Sequence, residues 1–288
     1  MASLRQVIQQ TRSVLESSGI PDARLEAEVM VMSLMRMQRQ DIYANQEAHV
    51  ASQQEQDLAG MVERRLKREP LAYILGYREF YGINLLVTPG VLIPRPETET
   101  LVEHALFMAL MAMETAELVI ADVGTGCGAI AINLAVHLPS ARIHAVDISD
   151  GALDVAGYNV RAHGVADRVT LGNGNLLEPV PERVDLIVAN LPYLPTCRIA
   201  TLQPEIQWES REALDGGPDG LAPIRGLLAQ APGKVKERGT ILLELDPEQV
   251  PAVEELARKH FPEATTSVEQ DLAHQDRVFV IGWGGGDC

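Results

Sequence analysis

Asn190, Leu191, Pro192 and Tyr193 interrupt the stretch "VDLIVANLPYLP" (residues 184–195), whose opening reads as a strand buried on both faces. An asparagine at such a strand end presents a side-chain oxygen that accepts hydrogen bonds. The Leu191 carbonyl, biased toward extended backbone by Pro192, presents a second acceptor. Together they can hold both hydrogens of a planar –NH2 group, with the Tyr193 ring packed against its plane. An amide or aromatic amine nitrogen is a poor nucleophile because its lone pair is delocalised. Acceptors that aim the lone pair at an electrophilic carbon lower the barrier by orientation, up to about 7–11 kcal/mol in ideal cases. Taken alone, the same residues also suit a strand end with a capped turn and a rigid loop.

A second cluster lies in "ADVGTGCGAIAINLA", where Gly124, Thr125, Gly126, Cys127 and Gly128 stand between a strand and a helix. Glycines here let backbone approach a ligand and point amide N–H groups at it beside a helix N-terminus. Asp147, at the tip of the next strand, is placed to accept hydrogen bonds from a ribose diol. Read as G-x-G-x-x-A, residues 124–129 also match the relaxed dinucleotide fingerprint, so the loop alone leaves the nucleotide open. Asp122 weighs against a dinucleotide: an acid just before the glycines sits poorly beside a pyrophosphate and well beside a cationic amino group. S-adenosylmethionine carries an amino acid end and a sulfonium; NAD carries neither.

The elements that must position these residues alternate after Glu97. Strand candidates are "ELVIADVG", "RIHAVDIS", "RVTLGNGN", "VDLIVANLP", "GTILLELD" and "RVFVIGW", with helical stretches between most of them. Such alternation predicts a parallel sheet with helices on both faces, and ligands collect at the carboxyl ends of its strands where strand order reverses. The segments near residues 264–271 and 277–283 are joined by too short a loop for a crossover helix, so they are expected to pair antiparallel. Residues 4–68 read as a small helical bundle, with Asp22 capping the second helix. Aromatic and β-branched residues broken by Gly76, Gly82 and Pro89-Gly90 predict a hairpin between the halves. The expected divisions are 1–69, a helical bundle of the partner-binding or scaffolding kind; 70–96, a linker with the hairpin; and 97–288, the α/β domain that carries the site.

Composition narrows the class. The chain has 288 residues, 46% of them apolar, and a formal net charge of −16, a field that disfavours a phosphate backbone as substrate. The densest basic run, Arg64, Arg65, Lys67 and Arg68, reads as the solvated face of one helix. Cys127, Cys197 and Cys288 have no metal-ligand spacing, so neither a zinc site nor a disulfide framework is expected. The N-terminal "MASLRQVIQQTRSVLESSG" lacks the apolar core of a secretory signal, and no run approaches the roughly 18 apolar residues of a membrane span. A cytoplasmic monomer, not bound to membrane or nucleic acid, is the expectation.

Six segments, in order, make the chain similar to the release-factor glutamine methyltransferases of the HemK/PrmC type. They are "REPLAYILGYREFYG", "LIPRPETETLVE", "DVGTGCGAIAI", "NLPY", "REALDGGPDGL" and "DLAHQDRVFVI". The resemblance implies a Rossmann-like class I fold, with a seven-stranded sheet whose last strand is antiparallel, behind an N-terminal helical domain that helps hold a release factor. It implies methyl transfer from S-adenosylmethionine, leaving S-adenosylhomocysteine, to N5 of the glutamine in a Gly-Gly-Gln motif. Asn190, Pro192 and Tyr193 would be catalytic, with Leu191 completing the substrate grip. Asp122, residues 124–128, Asp147, Asn175, Leu176 and Asn190 would meet the cofactor.

Two departures stand out. The family's usual second residue in the Asn-Pro-Pro-Tyr motif is proline, and here it is Leu191, which keeps the carbonyl and loses the ring's lock on φ. Where the family commonly has an acid for the adenine amino group, this chain reads Gly174-Asn175-Leu176. The rival readings are an adenine-N6 nucleic-acid methyltransferase, a ribosomal-protein glutamine methyltransferase, and a binding protein built on a decayed enzyme. The acidic charge, the "IPRPETE" segment and the intact motif residues weigh against each in turn.

Overall fold

The computed structural model describes residues 2–112 and 118–284. Glu117 of the first expected strand, and the terminal Cys288, lie outside the described residues. The chain divides into two compact units, one reaching Gly76 and including Pro204–Trp208, the other comprising Tyr77–Gln203 and the chain from Glu209.

Among its described residues the first unit holds the α-helices α1 (Leu4–Ser17), α2 (Ala23–Met35), α3 (Arg39–Ala44), α4 (Ser52–Leu66) and α5 (Leu71–Leu75). Leu4, Val7, Met30, Val31 and Leu58 interlock as its core. Ser3 caps α1 in a reciprocal capping box with Gln6. Asp22 stands at the N-cap of α2, but in the left-handed region (φ 54°) with no side-chain cap bond, so its expected capping role is not realised. The basic run is also not a purely solvated face. Arg65 is buried and pairs with Glu26 at 2.7 Å and Glu205 at 3.0 Å. A guanidinium satisfies two carboxylates at once, which is what lets it be buried.

In the second unit the chain runs β1 (Tyr77–Phe80), β2 (Ile83–Leu86), α6 (Thr98–Ala112), β3 (Val119–Val123), α7 (Ala129–His137), β4 (Arg142–Asp147), α8 (Asp150–Ala162), β5 (Val169–Asn173) and β6 (Val184–Ala189). It continues through α9 (Thr196–Ile199), α10 (Ala222–Gln230), β7 (Val235–Glu244), α11 (Val250–His260), β8 (Thr265–Gln270) and β9 (Asp276–Gly282). β1 and β2 form the expected hairpin. The other strands make one seven-stranded sheet in the order β5-β4-β3-β6-β7-β9-β8. Neighbours from β5 to β7 are parallel, while β9 lies antiparallel to both β7 and β8.

β3 is buried along its whole length, as a central strand covered on both faces must be. Strand order reverses between β3 and β6, so the carboxyl ends of β3, β4 and β6 converge where a ligand crevice forms. Val123 pairs with Ala189 in register, which sets Gly124 and Asn190 side by side just beyond the sheet. Asn159 of α8 ties the hairpin to this end: its amide bonds the Leu86 N–H at 2.8 Å, the Leu86 carbonyl at 3.0 Å and the Cys127 carbonyl at 2.9 Å.

Candidate active site

A cavity of about 450 Å³ opens at this convergence. Its walls include Gly124, Thr125, Gly126 and Cys127 from the loop after β3, Asp147 at the end of β4 with Ile148 after it, Gly174, Asn175 and Leu176 after β5, and Asn190, Leu191 and Pro192 after β6. Four loops far apart in sequence therefore meet in one place. The charged residues among the described walls are Asp147, Glu212 and Asp215, all acidic.

The glycine loop is held by the neighbouring strand. The Gly124 and Thr125 N–H groups both donate to the Val146 carbonyl, at 2.8 and 2.9 Å, and the Gly126 N–H donates to Asp147 Oδ2 at 2.9 Å. Gly126 has φ +57°, and a Cβ there would project into open space. A side chain would be strained and would fill room that a ligand needs. Asp147 Oδ1 accepts from the Ser149 N–H at 2.9 Å. Each oxygen keeps lone-pair capacity for the cavity.

Asp122 stands one layer behind. It is fully buried, and its Oδ2 accepts from the Thr125 hydroxyl at 2.6 Å and the Ala131 N–H at 3.0 Å. α7 begins after Gly128, which has no side chain with which to cap it. The strand carboxylate supplies that cap and meets the helix's positive end. Its Oδ1 has no partner, and burial pushes the carboxyl up to about 7. Neither Asp122 nor Gly128 is among the described residues lining the cavity; the contacts the structure gives Asp122 are with the loop and the start of α7.

The pKa shift carries a stability prediction. A raised carboxyl pKa means the folded state binds the proton more tightly, a contribution present below the ordinary carboxylate range and lost as pH rises through about 7. Asp122→Asn keeps an acceptor for Thr125 and Ala131 and removes the buried charge. Its ligand-free melting temperature is expected to exceed the wild type's by about 3 °C at pH 8, the gap closing toward pH 5. Equal gaps at both pH values in calorimetric scans would contradict this.

Asn190 donates its Nδ2–H to the Thr98 hydroxyl at 3.0 Å, which leaves its Oδ1 as the free acceptor. Leu191 is buried, its side chain against Gly124. The backbone of 192–193 is clamped by the loop of the "REALDGGPDGL" segment and by Gln249. A Cβ at Gly216 would come within 2.7 Å of the Pro192 carbonyl, so only glycine permits this approach. The Gly216 N–H donates to the Leu194 carbonyl at 2.8 Å, and Gln249 Nε2 donates to the Tyr193 carbonyl at 3.0 Å. Tyr193 itself is not among the described cavity walls. Its hydroxyl sits in a buried setting near Glu244, Arg277 and Arg95, and burial pushes it up to about 12. Burial likewise holds the Cys127 thiol neutral, at about 12.

Sequence reasoning passed over Ile148 and Glu244, whereas Thr98 belongs to the "LIPRPETETLVE" segment that the resemblance singles out. Ile148 is 59% exposed yet lines the cavity beside Asp147, an apolar side chain at its wall. Its position directly after a strand-end acid was the available signal.

The PrmC N-terminal domain family matches residues 6–76, and the methyltransferase small domain family matches residues 102–217. A release factor glutamine methyltransferase of Moorella thermoacetica is 40% identical over 279 residues, covering 96% of this chain and 98% of that protein. The chain belongs to the release factor glutamine methyltransferase family. A protein of the same name from Geobacter sulfurreducens is 42% identical over 245 residues, 84% of each chain. In fold, the chain is like a methyltransferase from Pyrococcus furiosus, with a TM-score of 0.52 at 16% identity, over 78% of this chain and 99% of that one. This family member is thus a methyltransferase with the α/β fold expected from its strand–helix alternation. Among its described residues no helix is long and apolar enough to cross a membrane.

Proposed function

We propose that the chain methylates N5 of the glutamine in the Gly-Gly-Gln motif of peptide-chain release factors, with S-adenosylmethionine as donor. The observation that carries this reading is the orientation of Asn190: its Nδ2–H is committed to Thr98, so an acceptor, not a donor, is offered to a carboxamide –NH2. The Leu191 carbonyl takes the second amide hydrogen. Holding both hydrogens fixes the plane of the carboxamide and exposes its nitrogen on one face. Transfer would form the N–CH3 bond as the donor's S–CH3 bond breaks, leaving S-adenosylhomocysteine, and the nitrogen would release one proton to solvent water.

The residues present fit the proposed cofactor. S-adenosylmethionine supplies an electrophilic methyl group when bound. Gly126 leaves open space where a side chain would stand, and the acidic walls favour a cationic ligand over a pyrophosphate. Asp147 would hold the ribose diol, Ile148 would cover the adenine, and Asn175 and Leu176 would meet its edge. Asn175 Nδ2 donates to Glu178 at 3.3 Å, leaving its oxygen for the adenine amino group. Residues 124–127 would follow the amino acid end, with Asp122 holding the loop from behind. Residues 1–69 serve, in this reading, to recognise the release factor, and Tyr193 braces the motif from behind the cavity.

Incubation with S-adenosylmethionine and a release factor, followed by peptide mapping, tests the assignment. The expected product carries the mass of one added CH2 on the Gly-Gly-Gln peptide. Modification confined to other peptides, or to nucleic acid, would overturn it.

A further inference from the structure

A primary amide can turn either edge to a substrate, and only its oxygen suits a carboxamide –NH2. What fixes the choice at Asn190 lies outside the motif. Thr98, the first residue of α6, is 4% exposed and receives the Asn190 Nδ2–H at 3.0 Å. The buried Glu244 carboxylate, at the end of β7, lies beside Thr98. A hydroxyl has one hydrogen to give, and an ionised carboxylate can only accept. Beside an ionised Glu244 the Thr98 hydroxyl hydrogen is drawn toward the carboxylate, which leaves the Thr98 lone pair for Asn190 Nδ2 and Asn190 Oδ1 for the cavity. Each hydrogen in the chain has one direction to run.

We infer that Thr98 and Glu244 are positioning residues that set which edge of Asn190 meets the substrate. This rests on the reading of Asn190 as a substrate acceptor. Glu244 is 2% exposed and its Oε2 has no partner, an arrangement that costs stability and that an apolar side chain would avoid. The charged and titratable groups around it are Arg277 of β9, Arg95 and Glu97 ahead of α6, and Tyr193 after β6. A protonated Glu244 could donate to Thr98 and reverse the chain, turning Asn190's nitrogen outward.

Three variants test this at saturating cofactor: Thr98→Val, Thr98→Ser and Glu244→Gln, each with its melting curve and S-adenosylhomocysteine affinity. Thr98→Val is expected to lower kcat on release factor about 10- to 100-fold, the usual cost of losing a partner that orients a ligating side chain. KM and S-adenosylhomocysteine affinity should stay within about 2-fold, and Thr98→Ser should recover most of the turnover. Wild-type kcat should fall as pH drops through about 7, where buried Glu244 takes its proton, and Glu244→Gln should lack that limb. Wild-type kcat in Thr98→Val, equal losses in valine and serine variants, or an unchanged acid limb in Glu244→Gln would overturn the inference. Should Thr98→Val melt early or lose the cofactor, the Glu244→Gln pH profile decides alone. An active Asn190→Ala would instead refute the reading of Asn190 itself.

Discussion

Asn190→Ala is expected to lower methyl transfer to a release factor by about 10²–10³-fold, the scale seen when one preorganised hydrogen-bonding group is removed from a reacting centre. S-adenosylhomocysteine affinity should remain within a few-fold. Asn190 extends from the end of β6 and its nitrogen is already held by Thr98; removing the side chain deletes a substrate acceptor and leaves the Gly124–Val146 and Gly126–Asp147 bonds of the loop in place. The separation of turnover from cofactor affinity is the diagnostic part. Calorimetric titration with S-adenosylhomocysteine, beside single-turnover kinetics, measures both. Parallel loss of the two would assign Asn190 to the cofactor alone.

Asp147→Ala is expected to give the opposite signature. Its carboxylate faces the cavity and also accepts the Gly126 N–H at 2.9 Å. Hydrogen bonds to a charged group contribute about 1.5–3 kcal/mol each, and losing two from a ribose diol corresponds to about 100-fold or more in affinity. S-adenosylhomocysteine binding should therefore weaken by about 100-fold, with a smaller change in melting temperature than Asp122→Asn produces, because Asp147 is only half-buried. Asp147→Asn keeps one acceptor oxygen and should fall between. Affinity within a few-fold of wild type in the alanine variant would remove Asp147 from the cofactor site.

What was legible in the sequence was what local pattern dictates. Buried strands alternating with helices gave the parallel sheet, a short connection gave the antiparallel pair β8–β9, and an asparagine at a strand end stood out because nothing about the strand requires it. What stayed hidden depends on contacts distant along the chain. Thr98 meets Asn190 across 92 positions, and Glu244 looks like any polar residue closing a strand. Why position 216 is glycine is not visible in one dimension, because the Pro192 carbonyl that excludes a side chain there comes from a distant segment. Asp122 stood out beside the glycines, but its bonds to the Thr125 hydroxyl and the start of α7 appear only in the fold. Arg65 likewise lies in a basic run, and only the folded bundle brings Glu26 and Glu205 to it.

A crystal structure with S-adenosylhomocysteine and a glutamine-containing release-factor peptide tests the central claim most directly. The account predicts the glutamine side-chain nitrogen within hydrogen-bonding reach of both Asn190 Oδ1 and the Leu191 carbonyl, its open face toward the sulfur. An Asn190 that turns its nitrogen to the peptide, or a glutamine seated away from residues 190–191, would contradict it.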